Sequence, residues 1–391
     1  MRLPGIRQEG GWYVDERRKN VEFMSMLVFF PWYCIPEKST CGEFTLIPFS
    51  RGELPYGKDP RQGIIDKILE PYRDHSGRSI SSATLVQMSG LELTHSLNED
   101  QLSEVFIFGE VVGFVGLSQR EFFLRHRSLS QEVFSVVAQR YADNGAGGSS
   151  IWVRRKDGND INFISEDVFQ VPCPWHVSIT ASVNMNMPLL EALLNSRDKD
   201  FWPLIEESIF GFNRANTDSP TVTQQAEIVL QIGAMERILD CRHGNEDDLA
   251  ARIEGLFIPP SAVPVASCSR IPSDWKVQSV AEAWIRDCFR VRGNLGHGRK
   301  KSSYRSRWTI QEHLLLGAYF FPLLVKLLLA KSKLYDLSPD DERSIEVFES
   351  LACAKLFGKE TKPDGTEEWP WSKIRSDMLL MHLVEKVIKR K

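Results

Sequence analysis

Arg292 and His297 bracket the segment Arg292-Gly-Asn-Leu-Gly-His-Gly298, and the two residue types together suit one reaction. A histidine can take a hydroxyl proton near neutral pH. An arginine offers a fixed, planar cation whose fork matches phosphate oxygens. That combination cleaves RNA without a metal: the base removes the 2′-hydroxyl proton, the oxygen attacks the adjacent phosphorus, the bond from phosphorus to the 5′-oxygen breaks with that oxygen leaving as a hydroxyl, and the cation stabilises the charge that develops. The expected product end is a 2′,3′-cyclic phosphate. Asn294, between the two, is the third candidate catalytic residue.

The pair lies inside a local inversion of charge. Arg286, Arg290, Arg292, Arg299, Lys300, Lys301, Arg305 and Arg307 face a single acid, Asp287, on a chain of 391 residues with formal net charge −4. Arg286, Arg290, Arg299, Lys300, Lys301, Arg305 and Arg307 are therefore the candidate RNA-binding residues, enough cations for several phosphates. The competing reading is a solvated loop beside a helix. The spacing alone does not decide: Arg120/His126, Arg237/His243, Arg290/His297, Arg307/His313 and Arg375/His382 also place a histidine shortly after an arginine. Context singles out Arg292 and His297. They end an amphipathic helix, precede a long apolar one, and glycines on both sides of the histidine let the backbone leave the helix.

Other polar candidates carry less. Glu236 could orient an arginine across a helical bundle, but an ordinary pair within its own helix fits it better. Trp369-Pro-Trp371 fits packing of a terminal helix better than base stacking. His75, His95 and His176 lack ligand spacing, and the seven cysteines contain no C-x-x-C pair, so neither a metal nor a cofactor is expected. The glycine-rich Asn144–Gly148 lacks the lysine of a phosphate-binding loop and reads as a hairpin turn.

The elements that must position these residues change along the chain. The first 185 residues read as strand-rich: Val21–Ile35, Glu43–Phe49, Ala83–Met88 and Val105–Leu117, with a hairpin over Ser150–Ile164 turning at Lys156-Asp-Gly-Asn159. Ser130–Tyr141 fits a strand or a short helix. From Met187 helical periodicity takes over: Leu189–Asn195, Phe201–Phe212, Val222–Cys241, Asp247–Phe257, Ser279–Leu295, Thr309–Leu334 with a kink at Pro322, Asp340–Phe357 and Ser372–Arg390. Gly358–Glu368 reads as a charged loop. The fold class is thus α+β: a β-rich N-terminal domain over residues 1–185, and an all-α bundle over residues 186–391. The polar first twenty residues lack a secretory apolar core, and the run Leu314–Ala330 holds Pro322 and Lys326, so a cytoplasmic protein that does not enter a membrane is expected.

Helices that end in Arg-x4-His-Gly, followed by a long apolar helix, resemble the HEPN superfamily of ribonucleases, particularly its ApeA-like branch of phage-defence proteins. The resemblance covers Leu189–Leu334, with its specific core at Val291–Gly298. One position departs: many members carry a polar residue directly after the arginine, where this chain has Gly293. The resemblance implies an endoribonuclease acting on RNA such as tRNA, in antiviral defence or toxin-like growth arrest. It also implies a homodimer or larger homo-oligomer that brings two motifs together, and a phage-derived trigger or an inhibitory partner. The N-terminal domain would then sense or restrain. The alternative is an inactive HEPN-like module that dimerises and holds nucleic acid or a partner protein. Geometry adds a condition: at ~100° per residue, His297 on a continuous helix would point ~140° away from Arg292. The helix must therefore loosen at Gly293 or Gly296, or the side chains must meet across a dimer.

Overall fold

The computed structural model describes residues 24–52, 61–119, 130–142, 148–151, 161–163, 170–174, 185–241, 245–256, 263–296, 304–354, 356, 360–361 and 363–368. On the N-terminal side, seven strands form one antiparallel sheet. They are β1 (Met24–Phe30), β2 (Ser39–Cys41), β3 (Phe44–Ser50), β4 (Ser82–Met88), β5 (Val137–Ala142), β6 (Gly148–Ile151) and β7 (Ile161–Phe163), in the order β2-β3-β4-β1-β5-β6-β7. The central β1 is apolar almost throughout because both its faces are covered. Met26, Val28 and Phe30 enter the core shared with the helices. Leu27 and Phe29 enter a smaller core under α1 (Arg61–Leu69), with Ile65, Ile68 and Tyr72. Cys41 pairs with Phe44 across a two-residue turn whose first position, Gly42, takes φ 57°, a backbone that glycine adopts at little cost.

The α+β class holds, and one expected strand does not. Val105–Leu117 lies inside a nineteen-residue helix, α2 (Glu99–Leu117). The β-propensity of its valines and phenylalanines is overridden by tertiary packing. Asn98 and Gln101 close a capping box at its start, and every residue from Val111 to Leu117 is buried, with its apolar side chains in the core shared by the sheet and the helices. Gly109 and Gly116 let Val136 and Phe134 pack directly onto its backbone. Ser130–Tyr141 splits into a 3-10 turn at Gln131–Phe134 and strand β5. The arms of the expected hairpin are β6 and β7, paired at Ser150–Asn162; its turn, Lys156–Asn159, lies outside the described residues.

The helical region follows the expected periodicity closely. Its helices are α3 (Met187–Asn195), α4 (Trp202–Ala215), α5 (Gln224–Ile238), α6 (Glu246–Glu254), α7 (Val280–Gly296), α8 (Ile310–Lys331) and α9 (Pro339–Cys353). Side-chain caps from Asn186, Thr223, Asn245, Thr309 and Ser338 start five of them. Two short strands, Glu360–Thr361 and Glu367–Glu368, pair within the expected charged loop. The segment Ser372–Arg390, Trp369–Trp371, Arg120/His126, Arg375/His382, His176 and the glycine-rich loop at 144–147 lie outside the described residues.

The bundle is built around α8, which packs on α3, α4, α5 and α9. By length and composition α8 could cross a membrane, but 67% of its most apolar window is buried inside the protein. It continues through Pro322 as a single helix. Phe321 of α8 stacks on Phe212 of α4 at 4.6 Å and meets Phe114 of α2 edge-on at 5.9 Å. Through this trio the helix that belongs in sequence to the N-terminal half joins the bundle, and one hydrophobic core runs across both halves.

Candidate active site

Arg292 sits in the last turns of α7 and reaches across to α5. Its Nη2 donates to Glu236 Oε2 at 2.7 Å, and its guanidinium lies 5.5 Å from the Phe289 ring centroid. The arginine side chain is 29% exposed and the glutamate 10%, so a buried acid holds a cation that still reaches solvent. The cross-bundle pairing of Glu236 thus prevails over the intrahelical one; Arg237, its neighbour, turns the other way to Glu207 of α4. Burial pushes the Glu236 carboxyl above its ordinary range, and the Arg292 charge only partly offsets that. Its second oxygen, Oε1, is buried and has no hydrogen-bond partner among the described residues.

The helix does not loosen at Gly293. It remains α-helical through Gly296, the last described residue before His297. Asn294 is half-buried, and two residues of helix set it ~200° from Arg292, so the two do not share a face. His297, Arg299, Lys300 and Lys301 lie outside the described residues.

The remaining cations divide into two groups. Arg286 and Arg290, one turn apart, both turn to the acidic start of α6. Arg286 binds Glu246, Asp247 and Glu282, and Arg290 grips Glu246 through Nε at 2.8 Å and Nη2 at 2.7 Å. Burial works against the Arg286 charge, yet its acids raise its pKa; the hydrogen bond to Glu246 leads the same effect at Arg290. These two arginines fasten α7 to α6. Arg305 and Arg307 are exposed, and no carboxylate among the described residues pairs with either guanidinium.

Sequence reasoning passed over Asp287, taking it as the one acid opposing a basic stretch. It is wholly buried, and it collects the segment Tyr304–Trp308 together with His313. Its carboxylate accepts from the Tyr304 hydroxyl, Ser306 Oγ at 2.6 Å, the Arg307 amide at 3.1 Å, the Trp308 amide at 3.3 Å and His313 Nε2 at 3.0 Å. Burial would raise its pKa, but His313, Ser306 and Tyr304 together hold it below the ordinary carboxylate range. A signal existed: Asp287 falls between Trp284 and Cys288 on the apolar face of α7, where an acid stays only if several donors meet it. A second buried pair, Arg270 with Glu312, fastens the same loop, since Arg270 also donates to the Arg307 carbonyl. His313, the histidine of the Arg307/His313 string, is inaccessible. One ring nitrogen, Nε2, meets both Asp287 and Ser306, so these three residues do not form a nucleophile relay.

Among the described residues, no group of three histidine, cysteine or acidic side chains could hold a metal ion. Comparison with family models, with curated proteins and with solved structures gives no match to this chain.

Proposed function

We propose that this chain is a metal-independent endoribonuclease of the HEPN type, and that its helical region is a HEPN-like bundle. Arg292 stabilises charge on the scissile phosphate, and His297 takes the 2′-hydroxyl proton. Glu236 is a positioning residue: it holds the guanidinium in one place, so that no reorganisation is needed as charge develops. The observation that carries this reading is the Arg292–Glu236 pair, a partly exposed arginine fixed from across the bundle five residues before a histidine.

On this reading Arg305, Arg307, Arg299, Lys300 and Lys301 contact the RNA, whereas Arg286 and Arg290 serve structure. The physiological setting is cytoplasmic antiviral defence or toxin-like growth arrest, with tRNA a candidate target. The active form is a homodimer that places two Arg292/His297 motifs together, which also removes the demand that one helix end aim both side chains at one phosphate. The sheet, coupled to the bundle through α2, is suited to transmit the effect of a trigger or an inhibitory partner.

One observation favours a second reading, an inactive module that binds nucleic acid or a protein. Every arginine on α7 already has an acidic partner, as structural arginines do. The two readings separate on purified protein incubated with labelled total RNA in EDTA, beside Arg292→Ala and His297→Ala. Cleavage by the parent and its loss in both variants supports the enzyme; binding without cleavage supports the module.

A further inference from the structure

We propose that Trp275, Tyr304, Arg305 and Arg307 form a binding site for unpaired nucleotides of RNA, in which one base inserts between the Trp275 ring and the Arg307 guanidinium. This rests on the reading above that the ligand is RNA, and it specifies single-stranded RNA.

Trp275 lies on the loop before α7 and is half-buried. Two guanidinium groups approach its ring. Arg290 lies 5.1 Å from the centroid and is committed to Glu246. Arg307 lies 5.9 Å away, at the outer limit of a cation–π contact, with its side chain exposed. The backbone of Arg307 is rigid: its amide is fixed on Asp287 and its carbonyl on Arg270. The result is a free planar cation presented on a fixed stem over an aromatic ring. A base inserted between the two needs two stacking separations of about 3.5 Å, or ~7 Å in all. Arg307 therefore has to swing outward by only ~1 Å, and the base then gains a ring on one face and a guanidinium on the other.

The surroundings match a nucleic-acid backbone as well as a base. Tyr304 is anchored through its hydroxyl to Asp287, and the Arg290 guanidinium lies 5.4 Å from its ring centroid as well as 5.1 Å from that of Trp275. Lys276, Arg305 and Arg307 are exposed, against Asp274 as the neighbouring exposed acid. A duplex hides its base faces and cannot use the site, whereas an unpaired loop can.

The test uses the full-length chain carrying His297→Ala, so that RNA stays intact, and a fluorescein-labelled single-stranded 12-mer RNA. Trp275→Leu is expected to weaken binding about 5- to 150-fold, the range for loss of one base stack. Trp275→Phe should recover most of it. Arg307→Lys keeps the charge but loses the plane, and should weaken binding several-fold. Arg305→Gln should lower the slope of log affinity against log salt by about 0.7. A blunt duplex of the same sequence, or polyglutamate, should compete poorly. The proposal is overturned if Trp275→Leu and Arg307→Lys bind within twofold of the parent, or if duplex or polyglutamate competes as well as single strand. Failure here alongside RNA cleavage by the unmutated chain removes this site and leaves the enzyme reading standing. Stacking without any cleavage does the reverse.

Discussion

Glu236 Oε2 and Arg292 Nη2 stand 2.7 Å apart, joining the end of α5 to the end of α7. The acid is the more buried partner, and its own burial opposes its charge. Such a pair is held for geometry more than for stability, because desolvation cancels much of the Coulombic gain.

Glu236→Gln therefore leaves an acceptor for the guanidinium but removes the charge. The expected cost in unfolding free energy is small, about 1 kcal/mol or less, while RNA cleavage should fall at least tenfold. Because the Glu236 carboxyl is raised, it takes up a proton at a higher pH than a free glutamate as pH falls. Cleavage by the parent should then drop on the acid side, and Glu236→Gln should lose that Glu236-linked limb. Chemical denaturation and a pH–rate profile check the two halves; equal cleavage by both proteins would remove Glu236 from the site.

Asp287→Ala should be the most damaging single change on α7. It strips a buried hub from Ser306, Tyr304, His313 and two backbone amides, and loss of one partner from a buried charged network costs about 3–5 kcal/mol. The pH dependence has a definite sign. A carboxyl whose folded pKa is depressed contributes its stability above the ordinary carboxylate range of about pH 4 and loses it as pH falls through the lower folded value. Asp287→Asn should therefore flatten the acid limb of a stability–pH curve measured by urea unfolding. An unchanged acid limb would contradict the hub.

Three glycines make a contrasting set. A Cβ at Gly116 would overlap the Phe134 ring, and one at Gly109 would overlap Val136. Gly116→Ala and Gly109→Ala should each cost about 1–3 kcal/mol by overpacking α2. Gly293 is helical, and a Cβ there meets nothing within 4 Å. Gly293→Ala should stabilise the chain by about 0.5–1 kcal/mol and leave cleavage intact. Thermal unfolding orders the three; loss of cleavage in Gly293→Ala would show that the helix must open there after all.

The shared core predicts cooperative unfolding. Phe114→Ala removes a ring that touches Phe212 and Phe321, so it should cost about 3–5 kcal/mol and shift the sheet and the helices together. Far-ultraviolet circular dichroism and tryptophan fluorescence should report one coincident transition. Separated transitions would mean that the halves fold independently.

The helical half was legible because its signals are local: the 3.6-residue repeat placed α5, α7 and α8, and Thr309 and Ser338 marked starts that the caps explain. The helix α2 was not, since its second half, Val111–Leu117, is buried on every side and loses the amphipathic stripe, and its valines read as a strand. Glu236 was read first as one half of an intrahelical pair, and its cross-bundle bond to Arg292 came only second, because the approach of α5 to α7 leaves no local signal. Asp287 stayed hidden because its role depends on donors seventeen to twenty-six residues later, a relation that only the return of the chain from Tyr304 to His313 creates.

Metal-free cleavage is decided by incubating purified protein with 5′-labelled total RNA in excess EDTA, with end-group analysis of the products. The parent chain should yield fragments ending in 2′,3′-cyclic phosphate, with at least a hundredfold loss of cleavage in His297→Ala and in Arg292→Ala. Cleavage that persists in both variants, or that appears only when Mg²⁺ is restored, would contradict this mechanism.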